Sequence, residues 1–133
     1  HALSGLAHGM VRFWHVTDAH VNLFHSRKGD VRDMCRSAAP DATLRPGKFG
    51  HFNCDPSLST TSVILQRMAE FEPAPAFILF GGDTFGHVPP ERESAPSVRK
   101  SHRAVAGALR EHFPKTLLLP ALGNHDTWPY FAA

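Results

Sequence analysis

Asp18 and His20 stand one residue apart, Asp83 follows the glycines Gly81 and Gly82, and Asn124, His125 and Asp126 follow Gly123. Carboxylate and amide oxygens mixed with imidazole nitrogens make a donor set suited to Zn, Mn or Fe, and pairs of such cations do hydrolytic chemistry at phosphorus. Each cluster alone has an ordinary explanation. A polar pair after a strand is often a turn or a cap, glycines permit a positive φ before a capping Asp, and Gly-Asn can form a left-handed turn. What separates these clusters from three ordinary turns is their shared position, each just beyond an apolar run.

Those runs read as strands. Val11 to Thr17 is rich in β-branched and aromatic residues and delivers Asp18 and His20 at its C-terminal end. Ala76 to Phe80 forms a second buried strand that releases Asp83 into a glycine turn, and Thr116 to Leu119 a third that ends at Gly123 and Asn124. Between the first two lies a helix that begins near Ser59-Thr60-Thr61, with Ile64, Leu65, Met68 and Phe71 on its apolar face. A second helix from about Ser97 to Phe113 carries Val98, His102, Val105, Leu109 and Phe113 along one side. Strand, helix, strand, helix, strand is the alternation of βαβ units in a largely parallel sheet, whose ligands collect beyond the carboxyl ends of the strands. That rule brings together clusters that are 65 and 41 positions apart.

The stretch from Asn22 to Ser57 breaks the pattern, with Gly29, Pro40, Pro46, Gly47, Gly50 and Pro56 among charges of both signs. A compact domain keeps so long an irregular segment for function or when it is stapled. Both cysteines, Cys35 and Cys54, lie inside it.

With 133 residues, 42% hydrophobic and 20% charged, the chain is one globular domain or part of one. A net charge of +2 with scattered basic residues gives no reason to expect a nucleic-acid polymer as partner. Ten histidines would make the surface more cationic in an acidic compartment. No apolar run approaches the roughly 20 residues of a membrane span, and His1 to Gly5 lacks the charged and apolar regions of a signal peptide.

Taken in order, the clusters resemble the calcineurin-like metallophosphoesterase superfamily, whose pattern is Asp-x-His, Gly-Asp and Gly-Asn-His-Asp/Glu followed by later histidines. Phe13 to His20, Gly50 to Asp55, Gly82-Asp83 with His87-Val88-Pro89, and Pro120 to Pro129 are similar to its acid sphingomyelinase-like phosphodiesterase branch. The resemblance implies an α/β fold, a metallophosphoesterase-type β-sandwich flanked by helices, of which residues 1 to 133 form the N-terminal βαβαβ half of one domain. It implies two divalent metal ions, zinc first with Mn or Fe as alternatives. Asp18 and His20 would bind the first, Asp83 would bridge both, and Asn124 would bind the second. The reaction would be hydrolysis of a phosphodiester or pyrophosphate bond, in a lipid head group or a nucleotide, by a hydroxide held between the metals. His125 would stabilise or protonate the phosphate, and His87 is a second candidate for protonating the leaving group. Asp126 either orients a ring from behind the ligands or stabilises the turn.

The resemblance also implies a Cys35–Cys54 disulfide and a secreted or lysosomal location, and a lipid substrate would bring contact with a membrane surface. His1, His8, His15, His25, His51, His102 and His112 are assigned to no metal, and Trp128 and Tyr130 either line a cleft or pack a loop. The family's later histidine ligands have no counterpart before Ala133. The expectation is therefore of a fragment with weak metal binding and little activity of its own, and the alternative is a non-catalytic binding or scaffold protein that retains this part of the fold.

Overall fold

The computed structural model describes residues 10 to 130. Three parallel strands, β1 (Trp14–Val16), β2 (Phe77–Phe80) and β3 (Leu117–Pro120), form one sheet in the order β1-β2-β3. Trp14 is in register with Ile78, and Phe77 with Leu117. Helix α1 (Leu58–Phe71) connects β1 to β2 after the irregular stretch, and α2 (Ala95–His112) connects β2 to β3. The βαβαβ alternation expected from the sequence is present.

Both helices start earlier than their apolar patterns suggest, because the capping residues lie just upstream. Ser57 has extended backbone, and its Oγ accepts the Thr60 N–H at 3.2 Å. Ser94 does the same for Ser97 at 3.3 Å, and Pro96 is accommodated in the first turn, where its missing N–H costs nothing. Leu65, Val105, Ala108, Leu109 and Phe113 from the helical layer pack on Ile78 and Phe80 of β2, with Trp14, Val16 and Leu118 at the sides. Removing a side chain such as Leu109 from this core costs about 2–5 kcal/mol.

Three expectations need correction. The strands are not buried on both faces, because exposure alternates with the period of two of a pleated strand: Ile78 is fully buried while Leu79 is 38% exposed, and Leu117 and Leu119 are exposed as well. β1 is also shorter than the Val11 to Thr17 run, and Val11 and Phe13 are exposed. On α1 the buried stripe runs through Thr61 and Leu65, leaving Ile64 and Phe71 exposed at its edge.

The segment between β1 and α1 holds one short 3-10 turn, Val31–Asp33, and is stapled by a Cys35–Cys54 disulfide with Cα atoms 5.6 Å apart. Closing a loop of this size is worth about 3 kcal/mol in the chain-entropy model. Val31 and Cys35 are buried beneath it, and Asn53 Nδ2 donates to the Val31 carbonyl at 2.7 Å. No helix among the described residues is long and apolar enough to cross a membrane.

Candidate metal centre

Because the three strands are parallel neighbours, their carboxyl ends lie side by side, and each chain turns there into one polar cluster. The first two loops zip together through their backbones: Asp18 N–H donates to Gly82 O at 3.1 Å, His20 N–H to Asp83 O at 2.8 Å, and Val21 N–H to Thr84 O at 2.8 Å. This close pairing places three non-glycine residues in left-handed backbone, Asp18 at φ 54°, His20 at φ 38° and Asp83 at φ 52°. Such conformations persist where the surroundings over-determine them and concentrate at functional sites.

Two glycines let the third loop close on the second. Gly82 has φ 92°, and a Cβ there would sit well inside contact distance of the Gly123 nitrogen. A Cβ on Gly123 would likewise collide with the Asp83 carboxylate. The glycines before Asp83 and Asn124 are therefore required by a backbone approach as well as by turn geometry.

Ligand-capable atoms of Asp18, His20 and Asp83 lie within 4.8 Å of one another. Thr17 Oγ1 donates to Asp18 Oδ2 at 2.6 Å, and His20 Nε2 is 3.8 Å from Asp18 Oδ1. His20 Nδ1 lies 3.2 Å from the Phe85 carbonyl, to which it can only donate, leaving the Nε2 lone pair free. Asp83 Oδ1 accepts the His125 backbone N–H at 2.8 Å. Asn124 is half-buried and opens the short turn Asn124–Asp126 beside Asp83. Two carboxylates and an oriented imidazole fit a divalent cation in both donor type and spacing.

A second group overlaps the first. Ligand-capable nitrogens of His20, His87 and His125 also lie within 4.8 Å of one another. The His87 ring stacks on His20 at 4.6 Å, and His125 meets both edge-on, at 5.0 Å from His20 and 4.7 Å from His87. His125 Nδ1 is buried with no hydrogen-bond partner. Burial lowers the His125 pKa, and the neighbouring His87 and His20 lower it further.

Asp126 is bonded to two site loops and to one ring. Its carboxylate accepts the backbone N–H of Asp83 at 2.7 Å, of Thr84 at 2.8 Å and of Gly123 at 2.8 Å, and pairs with His102 Nε2 at 2.9 Å. It is thus a turn-stabilising carboxylate that also ties two site loops to α2, and the ring it meets is His102. Burial alone would raise its pKa, yet the bonds from His102 and the three amides outweigh burial and hold it far below the usual carboxylate range.

His102 is a residue that sequence reasoning passed over, as are Asp55, which lies 3.2 Å from His87 Nδ1, and Thr17. The position of His102 among the apolar residues of its helix face was the available signal. The remaining histidines stay apart from the cluster: His15 is exposed on β1, His112 Nε2 meets Ser62 Oγ at 3.0 Å, and His51 Nδ1 accepts the Asn53 N–H. His1 and His8 lie outside the described residues. Tyr130 packs its ring 4.8 Å from His125 while its hydroxyl donates to Glu93, and Trp128 is 43% exposed. An apolar cavity of about 320 Å³ between α2 and β3 is bounded by His102 and Asp126 but by none of Asp18, His20, Asp83, His87 or His125.

No protein-family profile matches the chain. Among curated proteins it is 36% identical over 118 residues to acid sphingomyelinase-like phosphodiesterase 3b of Mus musculus, covering 89% of this chain and 26% of that protein. It is 30% identical over 128 residues to cyclic GMP-AMP phosphodiesterase SMPDL3A of Bos taurus, covering 96% and 28%. It is 27% identical over 121 residues to sphingomyelinase phosphodiesterase C of Dictyostelium discoideum, covering 89% and 27%. The chain therefore spans about a quarter of the length of the curated relatives it matches. Over 89% or more of its length, the chain is homologous to part of these acid sphingomyelinase-like phosphodiesterases of the calcineurin-like metallophosphoesterase superfamily.

Proposed function

We propose that this chain supplies one side of a binuclear metal centre that hydrolyses phosphodiester or pyrophosphate bonds in a phospholipid head group or a nucleotide. The observation that carries the reading is the convergence of Asp18, His20 and Asp83 within 4.8 Å, from loops that follow adjacent parallel strands. The names of the relatives, which include both sphingomyelinase and cyclic GMP-AMP phosphodiesterases, support the bond type and leave two substrate classes in view.

Asp18 and His20 would hold the first cation, Asp83 would bridge to the second, and Asn124 would complete the second from this chain. Zinc suits this mixed oxygen and nitrogen set, with Mn and Fe as alternatives. Bound there, the cations would polarise a phosphoryl oxygen and lower the pKa of an attacking water. The Phe85 carbonyl fixes the His20 tautomer, and Thr17 fixes the Asp18 carboxylate. His125, whose pKa is lowered by burial and by its histidine neighbours, supplies a ring nitrogen that can stabilise charge developing on the phosphate. His87, stacked on His20, is positioned to give a proton to the leaving oxygen. The disulfide supports an oxidising setting, so a secreted or lysosomal location completes the reading.

Hydrolysis of bis-p-nitrophenyl phosphate tests it. We expect little turnover from the 133-residue chain alone and, in a longer protein that contains it, turnover that is lost with a chelator, restored by zinc, abolished in Asp83→Ala, and reduced roughly 10²–10⁴-fold in His125→Ala with metal content retained. Turnover that survives a chelator would overturn the proposal. A folded protein that takes up no divalent metal would favour the binding or scaffold alternative.

A further inference from the structure

His87 is held from two sides by residues outside the donor set. The Asp55 carboxylate accepts the His87 backbone N–H, and both of its oxygens lie 3.2 Å from the ring Nδ1. Arg36 Nε donates to the His87 carbonyl at 2.9 Å. The Asp55 side chain is only 10% exposed, so its contacts with His87 are sheltered from competing water.

Arg36 directly follows Cys35, and Asp55 directly follows Cys54. Those cysteines are 19 positions apart in an irregular stretch, and the disulfide joins the two segments alongside the Asn53 Nδ2 bond to the Val31 carbonyl. The crosslink fixes their Cα atoms 5.6 Å apart and thereby presents the two following residues to one target.

We infer that the disulfide-joined pair Arg36 and Asp55 is a clamp that sets the place and tautomer of His87, which makes both of them positioning residues for this site. The chemistry is directional. An ionised carboxylate only accepts, so the Asp55 contact makes His87 Nδ1 the donor and leaves Nε2 to face the site. Arg36, gripping the carbonyl of the same residue, prevents the backbone from rotating the ring away. Reducing the disulfide releases both grips together. The functional significance rests on the reading of His87 as a proton donor, a role the ring fills from Nε2 only as the imidazolium, with Asp55 holding the Nδ1 proton throughout, whereas the clamp itself is a statement about the neutral ring's tautomer and position.

The test is a long-range 1H–15N correlation of the imidazoles in the 133-residue chain, with His87→Gln identifying the His87 signals. We expect the neutral His87 ring to carry its proton on Nδ1. That signature is lost in Asp55→Asn and after reduction with tris(2-carboxyethyl)phosphine, while the His102 signals stay in place. Asp55→Glu should restore it in part, which a general loss of packing would not permit. If Asp55→Asn fails to fold, Arg36→Gln provides the second reading, with a shifted and broadened His87 ring expected. A His87 tautomer unchanged in a folded variant and after reduction overturns the clamp. Zinc titration of the same samples separates the two proposals. A chain that binds zinc but whose His87 ignores Asp55 refutes only the clamp, and a chain with an Asp55-dependent His87 that binds no zinc refutes only the metal reading.

Discussion

Asp83 and Asp126 hold each other's loops in place. The Asp83 N–H donates to Asp126 Oδ2 at 2.7 Å, while the Asp83 carboxylate accepts the N–H of His125, the residue before Asp126, at 2.8 Å. A carboxylate proposed to bridge two cations is thereby fixed at both its backbone and its side chain by the loop that carries Asn124. The geometry of the centre is a property of this pair of loops.

Asp126→Ala should be among the most destabilising single changes in the chain. It leaves three backbone N–H groups and the His102 ring without their acceptor, and each buried donor left unsatisfied costs about 1–3 kcal/mol. We expect a loss of at least about 3 kcal/mol in urea denaturation. Asp126→Asn, which turns an amide toward those donors, should recover only part of it.

Gly82→Ala should disturb the site more than the fold. A Cβ there adds the strain of a left-handed alanine, about 1–3 kcal/mol, and also pushes on the Gly123 backbone. The expected outcome is a chain that still folds, seen by far-UV circular dichroism, with its zinc affinity reduced because Asp83 and Asn124 have moved apart.

The Cys35→Ser, Cys54→Ser double variant should lose about 3 kcal/mol of stability relative to the oxidised chain, measured as a shift in the urea midpoint. Loop closure accounts for this cost, so the reduced wild type should unfold at the same midpoint as the double variant.

His25 should make stability depend on pH. Its Nε2 is buried without a partner, and burial lowers its pKa below the ordinary 6.5. A histidine depressed in the folded state contributes stability that is fully present above its unfolded pKa. As pH falls below 6.5 the unfolded chain takes up the proton first, and stability drops until the folded pKa is passed. Urea midpoints should fall between pH 7.5 and 5.5, and His25→Gln should flatten that part of the profile.

Much of this architecture could be read from the chain before its structure. Apolar runs ending in Asp18, Asp83 and Asn124 are enough to predict parallel strands with convergent C-terminal ends, because sheet topology places those ends together whatever the loop details. The helix faces were legible in α2, where Val98, Val105 and Leu109 are buried as expected, and less so in α1, where Ile64 and Phe71 are apolar yet exposed. Propensity does not report which side of a stripe meets the sheet. The support around the candidate ligands was the least legible part. His102 and Asp126 are 24 positions apart and Asp55 and His87 are 32 apart, and each pair meets only through tertiary packing that has no local sequence period. Disulfide pairing made Asp55 a neighbour of Arg36, and no spacing rule within the irregular stretch would have revealed that both grip His87.

The central claim is that Asp18, His20 and Asp83 form a divalent-metal site, and equilibrium zinc binding to the purified 133-residue chain tests it most directly. Zinc should bind the wild type, and Asp83→Ala should weaken it at least about tenfold, equivalent to about 1.4 kcal/mol, with Asp18→Ala and His20→Ala behaving alike. A folded chain that binds no zinc, or one whose affinity is the same in wild type and Asp83→Ala, would contradict the account.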